Sequence, residues 1–418
     1  MDKKYDIGVV GLWYGQNYGS ILTYYSLKTV LEKLGRSVVM VECPIGKDYF
    51  EIQSNTHARI FAKNHFEITE YKSVKDLKDL NSVCDCFVLG SDQIFNPGIY
   101  KNFRNTFFLD FADDTKRKIA CSASFGHSGW KFSFFEKLKV NYYLNKFDAI
   151  SVREKSGVDI LRDKLDIKNG KHILDPIFMS DVSLYNNLIE EIPENKENNY
   201  VLSYILDPTP EKKGLIKDVS KKLDKKYFNI LDGFANKYDD NYKLMDLDNT
   251  LPPLNVHEVL SYYKNADFVI TDSFHGTCLA ILFNKPFVSL VNNRRGATRF
   301  ESMLEEFELL DRMFYEIDDS VLDAVTKDID YERVEKILND KRKEASEWLL
   351  DALNKPLKNK KDNLIQKLVG WYFSTDIHKT VIYHKCKVMR MLSFSKRKKE
   401  HYDNKLNDLY KELQIMKR

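Results

Sequence analysis

The chain of 418 residues is too long for one core of usual size, so two domains with additional elements are expected. Its 43% apolar and 13% aromatic content can fill sizeable cores, yet no run approaches the roughly 18 consecutive apolar residues of a membrane span. The net charge of +3 divides unevenly, with 16 Lys/Arg against 6 Asp/Glu in residues 356–418 and 49 against 56 elsewhere, which argues against a nucleic-acid-binding body and for a tail that meets something anionic.

In chain order, Tyr5–Leu12 reads as a buried strand. It is too short and glycine-broken for a signal peptide. Ile21–Leu34 carries Leu27, Val30, Leu31 and Leu34 at helical spacing and closes at Gly35, and Ser37–Val41 is the next strand. That β-α-β unit implies a parallel sheet. Strands at Cys84–Gly90, Lys118–Ser124 and Asp148–Val152 and a helix at Glu154–Leu165 continue the alternation, which predicts a first α/β domain over residues 1–187. The polar segment Leu188–Asn198 (LIEEIPENKEN) reads as a linker.

A second α/β domain is expected over 200–330. Its elements are strand Tyr200–Leu206, helix Pro210–Leu223, strand Tyr227–Leu231, a polar loop with Pro252-Pro253, helix Val256–Tyr263, strand Asp267–Thr271, helix Gly276–Phe283 and strand Phe287–Val291. A long helix follows over 331–355, with Val334, Ile337, Leu338, Ala345, Trp348, Leu349 and Ala352 near one face. Residues 356–418 form a basic helical tail. Within it, 364–399 combine Trp371-Tyr372-Phe373, an apolar stripe and Lys396-Arg397-Lys398-Lys399, which suits an interfacial helix on an anionic membrane leaflet as well as a solvated basic helix. The six cysteines, Cys43, Cys84, Cys86, Cys121, Cys278 and Cys386, include no C-x-x-C pair and are expected to be reduced thiols of a cytoplasmic protein.

Two facing α/β domains place a cleft at the carboxyl ends of their strands. Four stretches reach it. Gly15–Ser20, with Asn17 and Tyr18, lies at a helix N-terminus able to approach an anion or serve as a plain turn. Ser91, Asp92 and Gln93 project at a strand end, where they can hold a sugar hydroxyl or cap the next element. Arg153 offers a guanidinium fork to a carboxylate or phosphate, or pairs with a neighbouring acid such as Glu154. His275-Gly276 occupies a strand-to-helix turn, where the imidazole can act as an acid or base or be structural, and Arg294, Arg295 and Arg299 follow the next strand. The glycine spacing fits neither a dinucleotide fingerprint nor a P-loop, and no metal site or cofactor is expected.

Taken in order, N-Y-G-S-I-L-T-Y-Y-S-L at Asn17–Leu27, G-S-D-Q-I-F-N-P at Gly90–Pro97, S-V-R-E at Ser151–Glu154, D-P at Asp175-Pro176, S-F-H-G at Ser273–Gly276 and R-F-E-S-M-L at Arg299–Leu304 resemble the polysaccharide pyruvyl transferases. The resemblance implies a GT-B-like fold and transfer of a pyruvyl group from phosphoenolpyruvate, a co-substrate, to two hydroxyls of a saccharide as a ketal. It implies donor contacts at His275 and Arg153, whereas the arginine of the family's R-x-H motif is Ser273 here. Either Arg294, Arg295 or Arg299 replaces that cation, or the donor differs.

On this reading His275 and Asp92 are the catalytic candidates, Asp92 as an orienting base for a hydroxyl. Arg153, Ser273, Gly276, Arg294, Arg295 and Arg299 face the donor, and Asn17, Tyr18, Ser91 and Gln93 the acceptor. The acceptor would be a surface-polysaccharide precursor, lipid-linked if the tail touches the inner face of the cell membrane. The alternatives are a glycosyltransferase using a nucleotide sugar and a non-catalytic scaffold of a polysaccharide-assembly complex.

Overall fold

The computed structural model describes residues 4–14, 17–42, 56–69, 76–100, 103, 105–129, 132–231, 238–291, 296–362, 364–374, 377–391 and 395–415. They fall into two compact units, one of residues 1–131 with 147–358 and one of 132–146 with 359–418.

The larger unit contains two parallel sheets. The first has seven strands, β1 (Tyr5–Val10), β2 (Val38–Val41), β3 (Ile68–Thr69), β4 (Cys84–Leu89), β5 (Arg117–Ala123), β6 (Ala149–Val152) and β7 (Lys171–His172), in the order β3-β2-β1-β4-β5-β6-β7. Helix α1 (Tyr18–Lys33) links β1 to β2, and Ile7 of β1 lies opposite both Val38 of β2 and Cys86 of β4. The order reverses between β1 and β4, so a crevice opens at their carboxyl ends. The second sheet has β8 (Tyr200–Ile205), β9 (Lys226–Leu231), β10 (Phe268–Thr271), β11 (Phe287–Leu290) and β12 (Met313–Phe314), in the order β12-β11-β10-β8-β9, and reverses between β8 and β10. Central strands such as Val38–Val41, Tyr200–Ile205 and Phe268–Thr271 are buried at every residue, as helix-covered parallel sheets require.

The expected strands form with ends shifted by a residue or two. The two-residue edge strands β3, β7 and β12 were not expected, because two residues show no periodicity. Nor was α2 (His57–His65), which is capped by Thr56. The expected linker starts too early: α4 (Val182–Glu190) runs through its first residues, with Glu191 as its C-cap. The expected helix Glu154–Leu165 also begins late. Glu154 is extended (φ −123°, ψ 142°), followed by a short helix at Lys155–Asp159 and a wider turn at Ile160–Lys164.

Helices α5 (Pro210–Leu223), α6 (Val256–Asn265), α7 (Phe274–Leu282) and α8 (Thr298–Glu306) accompany the second sheet. The long α9 (Tyr331–Asn354) buries Val334, Leu338, Ala345, Leu349, Ala352 and Leu353, while Ile337 and Trp348 are only half-buried. It lies against the first sheet's domain: Arg117 at the start of β5 donates to the carbonyls of Ala352 (3.1 Å) and Lys355 (2.7 Å), and Arg342 donates to that of Phe178 at 3.0 Å.

In the smaller unit, α3 (Phe134–Leu144), closed by a Ser133–Glu136 capping box, packs with α10 (Leu364–Ser374). Gly370 is set so closely against Tyr142 that a Cβ there would come within 2.4 Å of its hydroxyl. Asp362 binds Lys146 at 2.6 Å and accepts from Tyr142 at 3.1 Å. Helices α11 (Ile377–Met391) and α12 (Lys396–Ile415) pair with each other.

One buried carboxylate ties the second sheet to its first loop. Asp272, just past β10, accepts from the N–H groups of Leu206 (2.6 Å) and Asp207 (2.9 Å) and binds Lys212 at 2.7 Å. Asp272→Ala strands a half-buried ammonium and two donors, so a loss of about 3–5 kcal/mol is expected in urea unfolding. Asp272→Asn, which keeps an acceptor, should lose clearly less.

Candidate functional site

The site residues sit where both sheets present their carboxyl ends. Asn17 caps α1, accepting from the N–H groups of Gly19 (2.9 Å) and Ser20 (3.2 Å). Ser273 caps α7, its Oγ accepting from Gly276 N at 3.2 Å. The two helix starts meet there. A Cβ on Gly19 would fall 1.9 Å from the Cβ of His275, so only glycine lets the imidazole lie across the first turn of α1. Asp92, after β4, is held at φ +79°, costly for a residue with a side chain. That conformation keeps its carbonyl on Ser124 N (2.9 Å) while its carboxylate turns inward.

At the centre lies Arg153, at the end of β6 and without side-chain exposure. It donates from Nη1 to Asp175 Oδ2 at 2.6 Å and from Nη2 to Asp92 Oδ1 at 3.0 Å. Asp175, whose Oδ1 caps the turn at Pro176–Phe178 through Ile177 N, also accepts from Thr23 Oγ1 at 2.8 Å. The Ser91 hydroxyl is 2.8 Å from both Asp175 Oδ2 and the Ser122 carbonyl. His275 Nε2 is 3.3 Å from Thr23 Oγ1 and 3.8 Å from Asp175 Oδ2. Phe274 carries two cations, with the Arg153 guanidinium 4.6 Å and that of Arg299, from α8, 5.4 Å from its ring centroid.

Burial alone would raise the carboxyl pKa values here, but local charges decide them differently. For Asp175, attraction to His275 and Arg153 outweighs burial and holds the carboxyl far below its ordinary range. Asp92 is also lowered: burial opposes ionisation, and Arg153, His275 and Arg299 overcome it. Glu154 goes the other way, because burial prevails over Arg153 and over its bonds from Phe125 N (2.7 Å) and Ser124 Oγ (3.1 Å), and its Oε2 has no hydrogen-bond partner. Burial and the like charge of Arg153 bring Arg299 down to about 10. An anion beside the two guanidiniums would relieve that repulsion.

His275, Arg153, Asp92, Ser91 and Arg299 are therefore brought together. Gln93 stands at their edge, its amide oxygen 3.2 Å from Arg299 when turned toward it. Ser273 and Gly276 do not face the cluster. Ser273 is occupied as a cap, and Gly276 is wedged where a Cβ would lie 2.3 Å from Thr271 Oγ1. Tyr18 is buried, stacks on His57 at 3.9 Å and donates to the Leu254 carbonyl at 2.7 Å, joining the two α/β domains. Arg294 and Arg295 lie outside the described residues. Sequence reasoning gave no role to Thr23, Phe274 or Asp175. The Asp175-Pro176 pair was visible as a motif, but its partner Arg153 is close only in the fold. A polar cavity of about 510 Å³ bordered by Asp6, Arg36, Asp85 and Lys116 lies at the opposite, amino ends of the strands.

The sequence pattern of the family described as polysaccharide pyruvyl transferase matches residues 17–294, which hold every candidate site residue except Arg295 and Arg299. The chain belongs to that family. Members are transferases, and the match runs from α1 to just past β11, taking in strands of both sheets. No curated protein matches the sequence significantly. Among solved structures, a UDP-GlcNAc 2-epimerase from Neisseria meningitidis, bound to UDP-GlcNAc, is similar over 84% of this chain and 99% of that one, at 10% identity and a TM-score of 0.51. A UDP-N-acetylglucosamine 2-epimerase from Rickettsia bellii is similar over 88% and 98%, at 13% identity and 0.49. A wall teichoic acid polymerase is similar over 91% and 90%, at 12% identity and 0.42. The chain thus has a GT-B-type fold, with two parallel α/β domains and a helical C-terminal extension.

The raised pKa of Glu154 gives a signed pH dependence. A carboxyl whose folded pKa exceeds its unfolded value stabilises the fold below the unfolded pKa, and that contribution disappears as pH rises through the folded pKa. Glu154→Gln keeps an acceptor for Phe125 N but cannot ionise. Its stability relative to the parent should rise across that interval, seen as a diverging urea midpoint between acidic and neutral pH.

Proposed function

We propose that this chain moves a pyruvyl group from phosphoenolpyruvate to two hydroxyls of a saccharide in a surface-polysaccharide precursor, forming a ketal. The observation that carries this reading is the pair of buried guanidiniums, Arg153 and Arg299, on one aromatic ring beside His275. A donor with both a carboxylate and a phosphate suits the Arg299 guanidinium and the start of α7, while Arg153, whose two Nη groups are taken by Asp175 and Asp92, adds its charge from the other position on Phe274. Arg299 supplies the second guanidinium in place of the motif arginine that is Ser273 here.

In this mechanism protonated His275, oriented by Thr23 and Asp175, gives its proton to C3 of the enol. Carbon C2 becomes electrophilic as the first hydroxyl adds, and the neutral imidazole takes that hydroxyl's proton. Phosphate then leaves C2, the second hydroxyl adds, and its proton departs with the phosphate. Asp92, with its lowered pKa, serves better as a hydrogen-bond acceptor that orients a hydroxyl than as a strong base. No cofactor or metal is required by this sequence of steps.

Calorimetric titration tests the donor. Phosphoenolpyruvate should bind the parent and bind Arg299→Gln and His275→Asn at least tenfold more weakly, while Ser273→Ala should lose about 1 kcal/mol of stability as a missing cap and keep its affinity. Binding of a nucleotide sugar alone would favour the glycosyltransferase reading that the GT-B-type fold also serves. Binding of neither would favour a scaffold.

We further propose that the smaller unit rests on an anionic membrane, which would bring the enzyme to a lipid-linked acceptor. Phe134 (69% exposed), Phe135 and Leu138 of α3, with Leu368 and Trp371 of α10, project from a unit whose C-terminal part is strongly basic. Among the described residues no helix is long and apolar enough to cross a membrane, so the contact would be peripheral. At low salt, vesicles containing phosphatidylserine should sediment the full chain, and both high salt and Phe134→Ser/Trp371→Ser should reduce the bound fraction severalfold. Equal sedimentation of both proteins would remove this reading.

A further inference from the structure

At the junction of the α/β domains, separate from the arginine cluster, three side chains from three elements converge. His65 is the last residue of α2, Glu191 is the C-cap of α4 where the chain leaves the first domain, and His257 is in the first turn of α6. His257 Nε2 is 3.2 Å and His65 Nε2 is 3.7 Å from Glu191 Oε2, and one ligand atom from each of the three residues lies within 4.8 Å of the others. A tetrahedral ion bound at 2.0–2.2 Å has its ligand atoms about 3.3–3.6 Å apart. The two contacts to Glu191 already bracket that spacing.

We propose that His65, His257 and Glu191 form a binding site for one divalent transition-metal ion of the zinc class, with a water completing the tetrahedron. Two imidazoles and a carboxylate are a donor set that selects such ions over calcium or magnesium, which take oxygen ligands. The carboxylate contact does not account for the whole arrangement. His257 Nε2 is buried and has no hydrogen-bond partner despite its 3.2 Å approach to Glu191, so its lone pair or proton does not point along that contact.

The rings are also held in place before any ion arrives. His65 stacks on Phe61 at 4.1 Å and stands edge-on to Tyr25 at 5.5 Å, and His257 lies 5.5 Å from Phe61. Two of the ligands come from helix C-termini, where the partial negative charge attracts a cation, against one from a helix start. Glu191 is half exposed and gives the ion a route from solvent.

The ion would clasp α2 of the first domain to α6 of the second and to the segment between the domains. It would act on the same side as Tyr18, which stacks on His57 of α2 and bonds to Leu254 just before α6. Its role is to fix the domain junction, with no step of the pyruvyl transfer passing through it.

The test uses the full chain, treated with a chelator and titrated with Co(II) by visible absorption and with Zn(II) by calorimetry. One equivalent should bind with the intense absorption of tetrahedral Co(II), Zn(II) should raise the thermal midpoint, and His65→Ala and Glu191→Gln should each weaken binding by about 100-fold and abolish the midpoint shift. Failure of the parent to bind would overturn the proposal. So would variants that bind as tightly as the parent, since the ion would then sit elsewhere. Glu191→Gln alters a half-exposed side chain, and it decides the matter if His65→Ala fails to fold. Donor titration without metal reads the pyruvyl-transfer proposal separately.

Discussion

The structure around the domain junction depends on one buried cation. Arg153 has no access to water, and a guanidinium left unpaired there would cost several kcal/mol. Asp175 and Asp92 prevent that, and each carboxylate is itself held by local backbone. Asp175 is fixed by the turn that Pro176 begins, and Asp92 by a left-handed conformation that bridges to Ala123. The ends of β4, β5 and β6 and the turn after β7 are thereby locked into a common geometry. Pieces of both domains then close over it: α1 through Thr23, α7 through Phe274 and His275.

The cost of this arrangement is visible in Glu154 and Arg299, whose pKa values move toward their neutral forms. Both follow from placing charges in a dry region already containing Arg153. With the ionised Asp92 and Asp175 set against Arg153 and Arg299, the second guanidinium sits where burial and its like-charged neighbour both oppose its charge. The aromatic face of Phe274 offsets part of that opposition by offering its negative quadrupole to both guanidiniums.

Much of the fold was legible in the sequence because central parallel strands are buried on both faces and read as short apolar runs between helical patterns. Val38–Val41, Phe268–Thr271 and Pro210–Leu223 were recognisable for that reason. Edge strands of two residues were not, and α2 was missed because its apolar face, Ala58, Phe61 and Ala62, is only three residues long within a nine-residue helix. For the site, His275, Arg153, Asp92 and Arg299 were found because each lies directly after a strand or in the next helix. Ser273 and Gly276, adjacent to the histidine in sequence, lie apart from the cluster, because adjacency does not fix which way a side chain at a helix start turns: Ser273 turns back to its own backbone. Asp175 was passed over because a buried acid acquires meaning only through the cation it faces, here 22 residues away in sequence.

The pairing of α3 with the C-terminal helices also bears on how the protein is made. Tyr142 meets Asp362, its partner, 220 residues later, which at ordinary rates of synthesis is roughly 10–45 s. Throughout that interval the nascent chain carries Tyr142 without the segment that it packs against. A ribosome-bound holdase would find a long-lived target in this helix, and truncated products ending before α10 would keep it indefinitely, marking themselves for proteolysis.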